Sequence, residues 1–344
     1  MGFLCLDCDF CVLGLSVLCD NHRIGLTITV FFNQGGAVMW KRIAALILVL
    51  WGADLALNPV VGGDSKDKIR VVIIDGQNNH DWRATTPFLK KILQDSGRFS
   101  VDVCTAPLAK NDKRGLPKGW QAVPFPPDLS KYDVVLSNYN GESWAKDFQM
   151  ALDDSLKNGK VQLVIVHAAN NSFGGWKEYN LMIGMGWRGN SFGDRLIVDD
   201  QGKEVRVPKG KGPGSSHGAQ HAFKIIVRDS SHPITKGMPK EWMHAQDELY
   251  HGMRGPIENV HLLATAYADK SKGGTGEHEP MIWTVTYGKG RVFHTPMGHD
   301  LNGMRCQGFI TTLLRGTEWA ATGKVTQTIP SNFPGPDKTS SIEK

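Results

Sequence analysis

The sequence of 344 residues lacks the common signatures of nucleotide binding. No G-x-G-x-x-G segment follows the first predicted strand, and no G-x-x-x-x-G-K-[ST] loop occurs in the chain. The zinc-protease signature H-E-x-x-H is missing as well. Because Gly-rich loops of these kinds supply the backbone N–H groups that hold phosphates, a nucleotide cofactor is not indicated.

The chain also lacks a strong charge of one sign, since 39 basic residues face 34 acidic ones and the net charge is +5. The excess is spread along the sequence, so charge gives no argument for a nucleic-acid partner. Apolar residues make up 41% and charged residues 21% of the chain, which excludes a wholly disordered protein.

Cysteine is sparse beyond the amino terminus. Four of the six cysteines lie in the first twenty positions, and only Cys104 and Cys306 follow them. A disulfide-stapled scaffold is therefore excluded, while the sequence leaves open whether those two cysteines pair. The spacing Cys5-x-x-Cys8-x-x-Cys11 is typical of a metal site but has no partner cluster, so a metal there is the minor interpretation.

No apolar run reaches the roughly 20 residues that span a bilayer. Two basic residues precede the apolar run 43–50, a pattern typical of a signal peptide that begins at Met39. We therefore interpret residues 1–38 as a gene-model extension and 39–63 as a signal peptide and linker. An uncleaved membrane-anchoring segment is the alternative, and the main prediction is an exported protein, periplasmic or secreted.

From residue 64 onward the sequence has an α/β pattern. We interpret residues 64–330 as one domain and the polar segment 331–344 as a flexible tail. Apolar runs of strand length alternate with helical periodicity in the first half, whereas residues 185–220 show no strong period. The predicted strands are 69–74, 99–104, 132–137, 161–166, 223–227, 262–267, 281–287 and 291–295, and the predicted helices are 84–96, 143–158 and 302–322.

The alternation of strands and helices predicts βαβ units and a mostly parallel sheet. Ligands of such sheets bind beyond the carboxyl ends of the strands, where the strand order reverses. This rule brings the loops 75–82, 138–142 and 167–176 to one crevice. The segment that ends in His299-Asp300 can join them.

Histidines in two of these loops are candidates for catalysis. The pair His80-Asp81 can supply a general base or metal ligands, and the alternative is that Asp81 caps the following helix. His167 directly follows a buried strand, and a structural, hydrogen-bonded histidine is an equally weighted alternative. No cysteine lies in this strand-to-loop turn, so Cys-dependent amidotransferase chemistry is not indicated.

Two adjacent carboxylates, Asp247 and Glu248, form a second candidate group. Neighbouring residues of a strand face opposite sides, so only one carboxylate is expected to face the crevice. By the same reasoning, His244 shares a face with Asp247 only if the stretch is helical, and a solvated acidic turn is the alternative. Farther along the chain, His299 follows a glycine that permits a tight turn at the crevice mouth.

Tryptophans are frequent around the predicted crevice. Aromatic faces stack on sugar rings, so a tryptophan-rich mouth fits a carbohydrate, although each ring can equally well pack a structural loop. The four residues concerned are Trp82, Trp144, Trp176 and Trp187. His294 lies inside a predicted strand and is expected to be a core histidine.

Several short motifs occur in a fixed order along the chain. They are His80-Asp81, VIVHAANNSF at 164–173, W-x-E-Y at 176–179, H-x-F at 221–223, SHPIT-x-G at 231–237, DELY at 247–250, HEP at 278–280, YGKGRVF with GHD within 287–300, and LLRGTEWAATGKV at 313–325. Together they make residues 68–330 resemble the ThuA-like family, which is named for trehalose utilisation.

The resemblance implies a flavodoxin-like, class I glutamine amidotransferase-like three-layer sandwich without the nucleophilic cysteine of the amidotransferases. It also implies a small-molecule carbohydrate ligand, including oxidised sugars such as 3-keto-glycosides, and a role beside a sugar dehydrogenase. For some members it implies a divalent metal such as zinc. A homo-oligomer is compatible with the sequence.

The leading functional hypothesis is base-assisted and metal-assisted cleavage of a 3-keto sugar or glycoside. We assign catalysis to His167, His299 and Asp247, and metal binding to Glu248 and Asp300. The residues assigned to substrate contacts are Asn170, Asn171, Trp176, Tyr250, His80 and Asp81. The alternatives are a non-catalytic carbohydrate-binding protein and a metal-dependent hydrolase of another substrate class.

Overall fold

The structure, a computed structural model, describes residues 10–20, 23–32 and 68–343. In the amino-terminal stretches, β1 (Phe10–Asp20) and β2 (Arg23–Phe32) pair antiparallel with each other. The predicted export segment 39–63 lies outside the described residues. Among the described residues, no helix is long and apolar enough to cross a membrane.

The remaining elements belong to one α/β unit that begins near residue 65. Its strands are β3 (Ile69–Asp75), β4 (Phe99–Thr105), β5 (Val134–Ser137), β6 (Gln162–Val166), β7 (Arg195–Val198), β8 (Glu204–Val207), β9 (Ser216–His217), β10 (His221–Val227), β11 (Glu241–Asp247), β12 (Tyr250–His251), β13 (Val260–Tyr267), β14 (His278–Tyr287) and β15 (Gly290–Thr295). Its α-helices are α1 (Trp82–Asp95), α2 (Lys146–Lys157), α3 (Lys177–Ile183), α4 (Leu301–Met304) and α5 (Gln307–Thr322).

Five strands form the parallel part of the large sheet, in the order β4-β3-β5-β6-β15. Counted along the chain, this is the 2-1-3-4-5 order of flavodoxin-like folds, which reverses direction between β3 and β5. Antiparallel strands extend the sheet from β15 through β14, β13, β10 and β11, and β7 and β8 attach at β14. The predicted α/β fold is thus confirmed, with a parallel half and an antiparallel half.

Helices cover both faces of the sheet and complete a three-layer sandwich. Successive residues of β3 point to opposite faces, so that Val71 and Ile73 join one buried cluster and Val72 and Ile74 join the other. The first cluster includes Leu89 of α1 and residues of α5, and the second includes residues of α2 and α3. Burial on both sides explains why β3, β5 and β6 have continuous apolar runs.

The carboxyl-terminal segment pairs with the domain through its backbone. Gln307 donates its backbone N–H to the Ser340 carbonyl at 2.7 Å, and Cys306 pairs with Ser341 in an isolated bridge. Cys306 has φ −56° and ψ 126°, which is not helical, so it divides the predicted helix 302–322 into α4 and α5. This backbone pairing carries no hydrophobic pattern, so the sequence does not predict the division.

Candidate functional site

The candidate site lies at the carboxyl ends of β3, β6 and β15, beside the point where the strand order reverses. Loops that follow these strands carry His80, His167 and His299, and the turn between β11 and β12 adds Glu248. Each of these four side chains offers one nitrogen or oxygen atom, and the four atoms lie within 4.8 Å of one another. We call these residues the His3Glu cluster.

His167 has an unusual backbone conformation at the end of β6. Its φ is 46°, in the left-handed region that a branched or bulky residue rarely adopts. The Pro296 carbonyl lies 2.7 Å from Nδ1 and can only accept, so Nδ1 of the neutral ring carries the hydrogen. The lone pair of Nε2 is thereby directed toward the cluster, where the Tyr250 hydroxyl lies 3.0 Å away.

Glu248 lies at the centre of the cluster. Its Oε2 is 3.1 Å from Nδ1 of His299 and 3.6 Å from Nε2 of His167. Burial raises the pKa of Glu248, but the imidazoles of His167 and His299 outweigh this effect and hold the pKa well below its ordinary value. The carboxylate is therefore ionised at neutral pH.

The pKa values of the other two histidines of the cluster, His80 and His299, are shifted in opposite directions. Burial has the largest effect on His80, and the neighbouring imidazoles of His167 and His299 add to it, so the pKa of His80 falls to about 3 and this ring stays neutral. Burial also lowers the pKa of His299, but Glu248 and Asp247 overcome it and raise the pKa above its ordinary value. The cluster thus combines a neutral His80 with an ionised Glu248 that favours the protonated form of His299.

The donor atoms of the cluster fit a divalent metal. Oε2 of Glu248 and Nδ1 of His299 are close, yet their geometry satisfies neither, and both are buried without a hydrogen-bond partner among the described residues. Three imidazole nitrogens and one carboxylate oxygen form a donor set of the kind that zinc uses. These four residues could hold such an ion.

Asp247 does not join the cluster, although we predicted it as catalytic. Its oxygens accept hydrogen bonds from the backbone N–H groups of Gly298 at 2.7 Å and His299 at 3.0 Å, and from Nε2 of His244 at 2.8 Å. The expectation that His244 and Asp247 share a face only in a helix is wrong. A register shift in the β10–β11 pairing places an extra residue between them, which turns both toward the same side.

Three predicted site residues have their partners outside the cluster. Asp300, predicted as a metal ligand, caps α4 by accepting hydrogen bonds from the backbone of Asn302 and Gly303. Asp81 occupies the N-cap position of α1, but its carboxylate contacts Arg114 at 3.3 Å. Trp176 stacks on Tyr179, with 5.5 Å between the ring centres.

The predicted sugar contacts at Asn170 and Asn171 have different surroundings. Asn170 is fully buried, and its Nδ2 lies 3.2 Å from Nε2 of the buried core histidine His294. The Oδ1 atoms of both asparagines are buried without a hydrogen-bond partner among the described residues. The Tyr250 hydroxyl contacts the cluster at Nε2 of His167.

Sequence reasoning missed His217. This residue lies in β9, in the segment without periodicity, and its Nε2 is 3.5 Å from Oε1 of Glu248. The pairing of β9 with β12, which begins two residues after Glu248, brings it there. A two-residue strand in a Gly-rich segment has no hydrophobic pattern, so the sequence offers no signal for this contact.

Comparison with known proteins identifies the family. The family model described as trehalose utilisation, ThuA, matches residues 70–320. The chain belongs to the ThuA family. The crystal structure of a ThuA-like protein from Parabacteroides merdae is 42% identical, with a TM-score of 0.73 and coverage of 80% of this chain and 98% of that one.

A ThuA-like protein from Bacteroides uniformis is 16% identical, with a TM-score of 0.48 and coverage of 75% of this chain and 93% of that one. No curated protein matches the chain significantly. ThuA proteins belong to the class I glutamine amidotransferase-like superfamily. In this ThuA protein the strained turn after β6 carries His167 instead of a cysteine, and both Cys104 and Cys306 are buried, free thiols.

Proposed function

We propose that this ThuA protein cleaves oxidised, 3-keto sugars or glycosides with the help of a divalent metal in the His3Glu cluster. The observation that carries the proposal is the convergence of three imidazoles on the buried carboxylate of Glu248. The family's description as trehalose utilisation supports a carbohydrate substrate. A sugar dehydrogenase that oxidises C3 would supply the ketone.

The reaction is an elimination followed by hydration. The ketone at C3 acidifies the proton on C2, and a base removes that proton while the C1–O bond breaks. The aglycone leaves with a proton, and an enone remains with a double bond between C1 and C2. Water then adds its oxygen to C1 and a proton to C2, so the net change is hydrolysis of the glycosidic bond.

Residues His80, His167, Glu248 and His299 would hold the metal, which would supply a Lewis acid for a substrate oxygen. Their protonation fits this role, because His80 stays neutral and Glu248 stays ionised. Metal ligands must be deprotonated, so binding would also displace the proton that Glu248 favours on His299.

We assign the movement of the C2 proton to His217. The Gly218 carbonyl lies 2.8 Å from Nδ1 and fixes the hydrogen of the neutral ring there, so Nε2 bears the lone pair. Nε2 faces the cluster, and 38% of the side chain is exposed, so a substrate can reach it. Burial raises the pKa of Tyr250 far above its ordinary value, which keeps its hydroxyl available as a hydrogen-bond donor to a substrate oxygen.

An NMR assay of the full chain tests the proposal. The protein is incubated with trehalose, its 3-keto derivative and methyl 3-keto-glucoside, with and without a chelator. We expect cleavage of the keto compounds alone, lost with chelator and restored by zinc. The Glu248→Gln variant is expected to lose at least a hundredfold in kcat/KM, and Glu258→Gln, which makes the same change at an exposed carboxylate outside the cluster, to keep its rate.

Three other outcomes would contradict all or part of the proposal. Cleavage that persists in the presence of chelator would show that the reaction needs no metal. Sugar binding without turnover would support a non-catalytic carbohydrate-binding protein, and turnover of esters or amides alone would support a metal-dependent hydrolase of another class.

A further inference from the structure

A polar cleft of about 290 Å³ lies next to the His3Glu cluster. The loop after β3, the first turn of α1 and the segment 109–114 form its walls. We call it the amide cleft, because four of its lining side chains are asparagines. These are Asn78, Asn79, Asn111 and Asn140.

The charges of the amide cleft are paired. Nη2 of Arg83 lies 2.7 Å from Oδ2 of Asp112, and Nη1 of Arg114 lies 3.3 Å from Oδ1 of Asp81. With each guanidinium matched by a carboxylate, the cleft has little net charge and a high density of hydrogen-bonding groups. A neutral ligand with many hydroxyl groups fits this chemistry better than a phosphate or another anion.

Arg83 provides an unused donor in the wall of the cleft. Its side chain is only 10% exposed, and Nε and Nη2 are occupied by the Gly115 carbonyl and Asp112. Nη1 is buried without a hydrogen-bond partner among the described residues. Buried donors of this kind are rare in native proteins. Because Nη1 is not accessible from the cleft, we assign the hydrogen bonds to a ligand to the exposed amides of Asn79 and Asn111. The guanidinium also lies 4.3 Å above the Trp82 ring, which fixes its plane.

Two amides separate the cleft from the cluster. Nδ2 of Asn140 donates to Oδ1 of Asn79 at 2.6 Å, and Nδ2 of Asn79 lies 3.0 Å from Nε2 of His80. A ligand in the amide cleft is therefore next to any group held at the cluster. One molecule can occupy both places if it has two linked rings.

We propose that the amide cleft binds the second, unoxidised sugar ring of the substrate, and that the protein consequently prefers disaccharides to monosaccharide glycosides. The cleft of about 290 Å³ lies just below the volumes of about 300–1,000 Å³ that are common for small-molecule sites, which limits it to a ligand as small as one ring. The statement about the oxidised ring at the cluster rests on the proposed function. The binding of a neutral sugar ring in the cleft does not.

Direct binding tests the cleft without any turnover. Saturation-transfer NMR of the full chain is measured with methyl glucoside and with unoxidised trehalose, in the native protein and in Asn111→Trp. Asn111 lines the cleft with an exposed side chain, and a tryptophan there would fill it. We expect the dissociation constant of both sugars to rise at least tenfold. Lys113→Trp, an exposed position of the same segment that does not line the cleft, is the matched control and is expected to bind as the native protein does.

The two proposals fail in different ways. If the native protein binds neither sugar up to 50 mM, or if Asn111→Trp binds like Lys113→Trp, the amide cleft is not a sugar site, whatever the turnover assay gives. If keto-sugars are not cleaved but Asn111→Trp still weakens binding, the result supports the cleft as a sugar site and contradicts the proposed function. If both stand, Asn111→Trp is expected to lower the kcat/KM ratio of keto-trehalose to methyl 3-keto-glucoside at least tenfold.

Discussion

Oδ1 of Asp247 accepts a hydrogen bond from the backbone N–H of His299 at 3.0 Å. The other oxygen, Oδ2, accepts from the backbone of Gly298 and from His244. A fully buried carboxylate at the end of β11 thus fixes the turn that presents His299 to Glu248. The two adjacent carboxylates therefore have different roles. Asp247 holds the turn 298–299 in place, and Glu248 contacts the His299 imidazole that this turn carries.

Asp247→Asn is expected to destabilise the fold by about 3 kcal/mol, because it removes the carboxylate that is hydrogen-bonded to the buried His244. Although burial lowers the pKa of His244, Cys306 and the Asp247 carboxylate raise it to about 9, so this imidazole is charged at neutral pH. Urea unfolding measures the change. The matched variant is Asp95→Asn, which breaks the exposed contact with Lys91 and is expected to have little effect. Equal stabilities of the two variants would contradict the role of Asp247.

Zinc is expected to raise the melting temperature of the native protein, because an ion that binds only the folded state stabilises it by about 2.7 kcal/mol at a hundredfold excess over Kd. Glu248→Gln is expected to abolish this rise by removing the carboxylate ligand. Differential scanning fluorimetry with zinc or with chelator measures the effect. Asp300→Asn changes the other predicted metal ligand, which caps α4; asparagine caps a helix about as well, so both its melting temperature and its response to zinc should stay close to those of the native protein. A lost response in both variants would show that the assay reports stability alone.

The pH dependence of stability is expected to depend partly on His294. Burial lowers the pKa of this core histidine to about 3, against an ordinary value near 6.5. Between these values the unfolded chain binds a proton that the native protein does not, so the free energy of unfolding falls as pH falls, by at most about 1.4 kcal/mol per unit. Urea unfolding between pH 7 and pH 4 is expected to give a shallower slope for His294→Gln. Parallel slopes would contradict the prediction.

The sequence predicts the parallel half of the sheet. It also predicts the loops that carry three of the four residues of the His3Glu cluster. Strands such as β3 and β6 are buried on both faces, so their composition alone reveals them. The rule for ligand sites in such sheets then brings His80, His167 and His299 together. The strand period also predicts that only one of Asp247 and Glu248 faces the crevice, as the structure has it.

What the sequence does not predict depends on pairing without a hydrophobic signal. β8 has exposed and half-buried residues in alternation, and β9 has two exposed residues, so neither resembles a buried strand. The contact between His217 and Glu248 therefore could not be predicted from the sequence. Which of the two carboxylates, Asp247 or Glu248, joins the cluster depends on the register shift of β11 against β10. No local pattern in the sequence predicts this shift.

Gly303 makes the position of Asp247 sensitive to a single methyl group. A Cβ at Gly303 would lie 2.4 Å from Oδ2 of Asp247. Alanine in place of a helical glycine usually stabilises by up to about 1 kcal/mol, whereas overpacking a buried site costs about 1–3 kcal/mol. Because Asp247 is fixed by His244 and by the backbone of Gly298 and His299, it has no free space to move, and the clash should outweigh the gain.

Gly303→Ala is therefore expected to lower the free energy of unfolding by about 1–2 kcal/mol, a net of overpacking and helix propensity, and to displace the turn that carries His299. Gly189→Ala is the matched control, since a Cβ there meets nothing within 4 Å among the described residues. Urea unfolding and zinc affinity are measured on both variants. If Gly303→Ala were as stable as the control and bound zinc equally well, Asp247 would have room to relax. The contact between Asp247 and the 298–299 turn would then not be what holds His299 against Glu248.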